Sequence, residues 1–166
     1  MRSPRSLLAP AAVVTTALVV ALTTASPAAA RGHSILREDL QGTFPLTDPV
    51  SPSPVIAGVN PGGAPWVIDE GSEARVREDG RIRVELQHLV IPNRVPGNPV
   101  PFMAASLVCD DMVVDSTRPF PVTEDGNGLI EDRISGTKDC DDPVVLVRSA
   151  TNPEALGNYF AVAMED

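Results

Sequence analysis

The sequence predicts an all-β protein: a single antiparallel β-sandwich of Ig-like architecture, with a partly open β-barrel as the alternative. Three observations carry this expectation. Apolar and polar residues alternate with period two along the best-defined segment, Arg81-Ile82-Arg83-Val84-Glu85-Leu86-Gln87. That spacing gives a strand one buried and one wet face, whereas a helix would scatter Ile82, Val84 and Leu86 around its circumference. All but three of the 17 prolines lie after residue 30, spread along the chain, which leaves little room for long helices. Short apolar runs also recur between clusters of Pro, Gly, Asn and Asp, the punctuation of strands and turns.

Residues 1–30 stand apart from the fold. Arg2 and Arg5 form a positive start, Leu7 to Ala25 carries no charge, and Pro27 precedes Ala28-Ala29-Ala30. A charged start, an apolar run and small residues before a junction make a secretory signal peptide, cleaved between Ala30 and Arg31. An uncleaved membrane anchor is the alternative; Pro10, the threonines and the A-x-A site favour cleavage. No cysteine near the junction offers a lipid attachment point, and Arg2 and Arg5 are not adjacent, as a twin-arginine signal requires. The expected product is residues 31–166, secreted and extracellular, with no stable membrane anchor.

The hairpin is the firmest element. Ala74 and Val76 alternate with Arg75 and Arg77, Glu78-Asp79-Gly80 is a turn, and the second strand runs on through Leu89-Val90-Ile91 to Pro92. Further strands are expected at Ile35–Gln41, Val55–Val59, Trp66–Asp69, Phe102–Cys109, Met112–Thr117, Leu129–Ser135, Val144–Ser149 and Tyr159–Met164. Asn152–Leu156 allows one helical turn. Asp48–Pro54 (DPVSPSP) reads as a loop between strands, or as a linker that leaves residues 31–54 a loosely packed arm. Leu40, Phe44 and Leu46 favour the loop, being too apolar to stand in water. Trp66 is expected in the core.

Acids outnumber bases 22 to 13, for a formal charge of −9. Arg2 and Arg5 leave with the signal, so the product carries −11. Such a balance argues against nonspecific nucleic-acid binding, which needs a basic face for phosphates. Two cysteines are too few for a disulfide-dense miniprotein or a four-cysteine zinc site. In an exported chain Cys109 and Cys140 are expected to pair, closing a loop of about 30 residues worth roughly 3–4 kcal/mol.

The punctuation of the chain resembles a group of small, uncharacterised secreted proteins of high-GC bacteria. The resemblance rests on Pro61-Gly62-Gly63-Ala64-Pro65-Trp66-Val67-Ile68, the turn Asp79-Gly80, Leu89-Val90-Ile91-Pro92, Asn98-Pro99-Val100-Pro101, the two cysteines, and Pro143-Val144-Val145-Leu146-Val147. It starts at about Leu40, implies one exported all-β domain, and brings no catalytic or binding residues with it.

Catalytic groups are sparse. A Ser-His-Asp site needs a histidine base, and only His33, near the expected new N-terminus, and His88, at a strand end on the face of Ile82, Val84 and Leu86, are present. There is no G-x-S-x-G elbow and no phosphate-binding glycine loop. One constellation stands out: Asp110 and Asp111 follow Cys109, and Asp139, Asp141 and Asp142 flank Cys140. A disulfide brings these five carboxylates together, and Ca²⁺ with its preference for oxygen ligands would relieve their repulsion. Solvated loop acids pointing apart are the plainer reading. Glu124-Asp125-Gly126-Asn127-Gly128 lacks the spacing of a calcium-binding EF-hand loop.

The expected function is therefore a non-catalytic binding or interaction module, with a protein or glycan partner. Two alternatives are a hydrolase using carboxylates such as Asp69 and Glu70, and an inhibitor-like protein presenting a Pro-stiffened loop, Arg94–Pro101 or Arg118–Pro121.

Overall fold

Ten antiparallel strands and no helix make up the described residues, 32–152 and 155–165, of a computed structural model. The expected signal peptide and its junction at Ala30 and Arg31 lie outside them. The strands are β1 (Ser34–Asp39), β2 (Gln41–Gly42), β3 (Glu73–Arg77), β4 (Arg81–Leu86), β5 (Phe102–Cys109), β6 (Met112–Ser116), β7 (Phe120–Pro121), β8 (Gly128–Arg133), β9 (Val144–Ser149) and β10 (Tyr159–Ala163). They form two sheets rather than a closed barrel. The four-stranded sheet has the order β1-β3-β4-β8; the other runs β2-β10-β9-β5-β6, with β7 also on β5.

The two sheets face each other across one apolar layer. Leu36, Ala74, Val76, Ile82, Val84 and Ile130 come from the four-stranded sheet, and Met103, Ala105, Leu107, Val145, Val147 and Phe160 from the six-stranded one. In β3, β4, β5 and β9 these are alternate residues, so burial follows from the pleat; in β10 an irregularity between Tyr159 and Ala161 lets the adjacent Phe160 and Ala161 both join this layer. Trp66 is 3% exposed and stacks on Phe160 with ring centroids 4.2 Å apart. A second, smaller cluster lies on the other face of the six-stranded sheet, where Val59 packs with Val108, Leu146, Tyr159 and Val162. The Tyr159 hydroxyl donates to the Pro54 carbonyl at 2.6 Å, and burial pushes its phenol up to about 12. Residues 54–59 therefore cover this face instead of adding a strand.

That covering segment corrects one expectation. Val55–Val59 is a tight turn, closed by Ile56 and Val59 exchanging both backbone hydrogen bonds at 3.1 and 2.8 Å. Ala57 and Gly58 take positive φ between them, as a two-residue hairpin turn demands. Trp66–Asp69 likewise shrinks to a single bridge, Val67 with Val90, with Pro65 and Pro92 flanking the paired residues. Phe120–Pro121, expected as a loop, pairs with Phe102 and Met103. In the hairpin, pairing with β3 ends at Glu85, opposite Glu73, and β4 ends at Leu86. His88 is exposed with φ +55, so Leu89, not His88, enters the core. Of the segment Asn152–Leu156, expected to allow one helical turn, residues 153 and 154 lie outside the described residues; the Ala155 N–H donates to the Asn152 carbonyl at 3.2 Å.

Residues 34–42 belong to both sheets. β1 pairs along β3, β2 pairs with β10, and Leu36 and Leu40 are buried. Cys109 and Cys140 form a disulfide with Cα atoms 5.2 Å apart, tying the end of β5 to the loop before β9. Such a bond fits a protein of an oxidising, extracellular compartment.

Candidate functional site: the arginine face of the four-stranded sheet

The same alternation that buries Ala74, Val76, Ile82 and Val84 turns Arg75, Arg77, Arg81 and Arg83 to solvent. The three-residue turn Glu78-Asp79-Gly80 fixes the register. Gly80 supplies φ +83, and its N–H closes on the Arg77 carbonyl at 2.9 Å. Arg75 is then opposite Arg83, and Arg77 and Arg81 flank the turn. β1 sets Arg37 beside Arg75; β8 sets Glu131 beside Arg83 and Arg133 beside Arg81.

Charges on this face therefore run in rows across the strands. Asp39, Glu73 and Glu85 form an acidic row. Arg37, Arg75, Arg83 and Glu131 form the next. Arg77, Arg81 and Arg133 form the third, nearest the hairpin turn. Six of the chain's 13 basic residues thus share one sheet face in a chain of charge −9. Like charges directly opposed across strands destabilise a sheet, and the Arg37–Arg75–Arg83 and Arg81–Arg133 neighbours are of that kind.

Carboxylates compensate part of the row structure. Glu73 pairs with Arg75 and, at 3.7 Å, with Arg37. Arg83 pairs with Glu131 and, at 3.2 Å, with Glu85. Arg81 reaches Asp79 at 2.6 Å, and its guanidinium holds the Asp79 carboxyl below the ordinary carboxylate range. The third row is left with spare capacity. Arg133 donates to the Asp79 carbonyl at 3.3 Å and its charge helps Arg81 lower the Asp79 carboxyl, but it makes no direct ion pair among the described residues; Arg77 has no side-chain partner among them. The Nε of Arg75 is buried without a hydrogen-bond partner. A depression of about 440 Å³ opens here, lined by Arg75, Arg77, Arg81, Arg83, Arg133 and their acidic neighbours. What such a surface can do is hold anionic groups: a guanidinium fork matches two oxygens of one oxyanion.

The disulfide end works differently. Asp110 and Asp111 are the two central residues of the β5–β6 turn, with φ of 52° and 58°, and Asp139 and Asp142 take φ of 59° and 47°. Aspartate tolerates this left-handed region better than most residues, so the local work of these exposed side chains is to permit turns. Among the described residues, no group of three or more His, Cys, Asp or Glu side chains is placed to hold a metal ion.

Asp69 and Glu70 are exposed in the turn before β3, where Asp69 serves the fold through its backbone, donating to Gln87 and accepting from Ser72. His33 is exposed and offers its carbonyl to the Glu78 N–H. The His88 N–H donates to Asn127 Oδ1 at 3.1 Å. In the loop Arg94–Pro101, Val95 is 97% exposed, while Asn98 is buried and clamps the Val100 and Thr123 backbone. Ile91 N–H closes the tip onto the Gly97 carbonyl at 2.9 Å. In Arg118–Pro121, Arg118 is bound to Asp132, and Phe120 and Pro121 are paired to β5.

Residue type alone does not single out the arginine face, because Arg133 arrives from a strand about 50 residues downstream of Arg81. The signal was nonetheless present: folding the alternating segment about Gly80 already places Arg75 against Arg83. No protein-family model, curated protein or solved structure matches the chain.

Proposed function

We propose that the chain is a secreted, non-catalytic binding module that meets a macromolecular partner through the outer face of β1, β3, β4 and β8. The observation that carries this reading is the row Arg77–Arg81–Arg133, kept next to other arginines on a strongly acidic protein and only partly neutralised by its own carboxylates. A sheet held for stability alone gains nothing from such neighbours. Export is supported by the amino-terminal pattern and the disulfide. The scarcity of histidines and the use of Asp69 through its backbone give a hydrolytic reading no comparable support.

The test is retention of the purified secreted protein on the cell-envelope fraction of its source. The unaltered protein is expected to be retained at low salt, and R77E/R133E is expected to wash through. R77Q/R133Q, which keeps side-chain size, should be intermediate. Equal retention of all three, with equal melting temperatures, would reject this face as the binding surface.

A further inference from the structure

We infer that the occupant of the arginine face is a linear anionic glycan, lying across the strands along Arg77, Arg81 and Arg133. This rests on the binding reading above and specifies its ligand. Three properties of the face select that class.

The cations are all arginine. Lysine is a point charge, whereas the guanidinium fork pairs two oxygens of one group, be it carboxylate, sulfate or phosphate ester. Neighbouring strands are about 4.8 Å apart, so the row presents its charges in a line perpendicular to the strands. The acidic row Asp39–Glu73–Glu85 runs parallel to it and repels an anionic chain that slides away from the hairpin end. Between the two rows, Glu73, Glu85 and Glu131 hold Arg37, Arg75 and Arg83 in place. Arg77 and Arg133 are the guanidinium groups of the row in no direct ion pair among the described residues, with Asp79 held by Arg81 and only sharing its field with Arg133.

The face also lacks what other macromolecules use. Protein interfaces are anchored by buried aromatic and apolar side chains. Among the described residues, Leu129 is the one large apolar side chain exposed on these four strands, and it stands in the acidic row. An acidic protein segment therefore finds charge without an anchor. A membrane surface finds no ring and, beyond the isolated Leu129, no large aliphatic group to insert.

Net charge separates thin ligands from broad ones. A flat anionic membrane or a nucleic-acid duplex would meet the whole acidic molecule. Beyond a Debye length of about 8 Å at physiological salt only local charge is felt strongly. A single hydrated sugar chain can follow the row while most of the remaining acids stay screened from it.

The experiment is a calorimetric titration of the secreted protein with four length-matched probes: dextran sulfate oligomers, polygalacturonate oligomers, neutral dextran and polyglutamate. Anionic phosphatidylglycerol vesicles form a fifth arm. Binding of at least one anionic glycan is expected, weakened about tenfold or more by R77E/R133E and by raising NaCl from about 0.05 M to about 0.5 M. The sulfated and carboxylated arms tell which oxyanion is preferred. Neutral dextran should give no heat, and D111N/D141N at the disulfide end should bind like the unaltered protein. Failure of both anionic glycans overturns the inference, as does binding that survives R77E/R133E or tighter binding of polyglutamate or vesicles. If envelope retention depends on Arg77 and Arg133 while neither glycan binds, the binding-module reading stands and the glycan assignment falls.

Discussion

Replacing Gly80 by alanine tests how the hairpin builds the arginine rows. Gly80 has φ +83, a conformation that costs an L-residue roughly 1–2 kcal/mol. A Cβ there would also collide with the carbonyl oxygen of Ile134. Relieving the collision moves Ile134 away and strains its N–H bond to the Gly80 carbonyl, 2.8 Å long and worth about 1 kcal/mol. The total is about 2–3 kcal/mol, or roughly 6–9 °C in melting temperature for a domain of this size. Gly58 is the internal control: its φ is +77, yet a Cβ there meets nothing within 4 Å. G58A should therefore cost only the backbone part, about 1–2 kcal/mol. Both melts can be followed by the fluorescence of Trp66, the chain's single tryptophan, which is buried. G80A should also weaken ligand binding, because Arg81 and Arg133 lose their shared register. If G80A melts no lower than G58A, the packing of Ile134 on the hairpin turn is wrong, and with it the placement of the third arginine row.

Other consequences are independent of that turn. Tyr159 is the chain's only tyrosine, so absorbance at alkaline pH should show a phenol titrating near 12 in the folded protein. Its stabilising contribution is complete below about 10, the unfolded value, and disappears as pH rises toward the folded one; a native midpoint near 10 would contradict its burial under Pro54. Burial works against ionisation of Asp115, but the Ser135 N–H and hydroxyl and the Ser116 N–H outweigh it and lower its pKa; for Asp132, the Arg118 and Arg133 N–H groups outweigh burial in the same way. Both carboxylates therefore stabilise the fold above about pH 4 and cease to do so on acidification below it; D115A/D132A should flatten the acid limb of the stability profile measured by denaturant titration. Thr43 is fully buried and its Oγ1 has no hydrogen-bond partner, so T43V should raise stability by up to about 1 kcal/mol in urea; a loss of that size would mean the hydroxyl is satisfied. Reducing Cys109–Cys140, or C109A/C140A, should cost about 3–4 kcal/mol because the bond spans 31 residues.

Much of the fold was readable where local rules and burial agree. Phe102–Cys109 and Val144–Ser149 occupy the expected bounds, and the hairpin turns at Gly80, because each has an apolar face and clear punctuation. One misplaced element lies where proline interrupts pairing. Trp66–Asp69 has the composition of a strand, but Pro65 and Pro92 flank its one pair. Val55–Val59 is apolar because it covers the outer face of the six-stranded sheet, and composition does not separate a covering turn from a strand. His88 continues the alternation in sequence, yet its left-handed backbone breaks the period just where the sheet ends. The acidic residues beside the cysteines stand out by charge, while their geometry is that of turns. The arginine face was hidden for the opposite reason: each arginine alone reads as the wet side of a strand, and only the cross-strand register assembles them.

The most direct measurement is a backbone-amide and arginine Nε shift map of the secreted protein, recorded while dextran sulfate oligomers are added. The predicted result is a contiguous set of perturbed signals at Arg77, Arg81 and Arg133, fading across Arg75 and Arg83 toward the acidic row. Perturbation centred on the loops around Cys109 and Cys140, or on Arg94 and Val95, would contradict it.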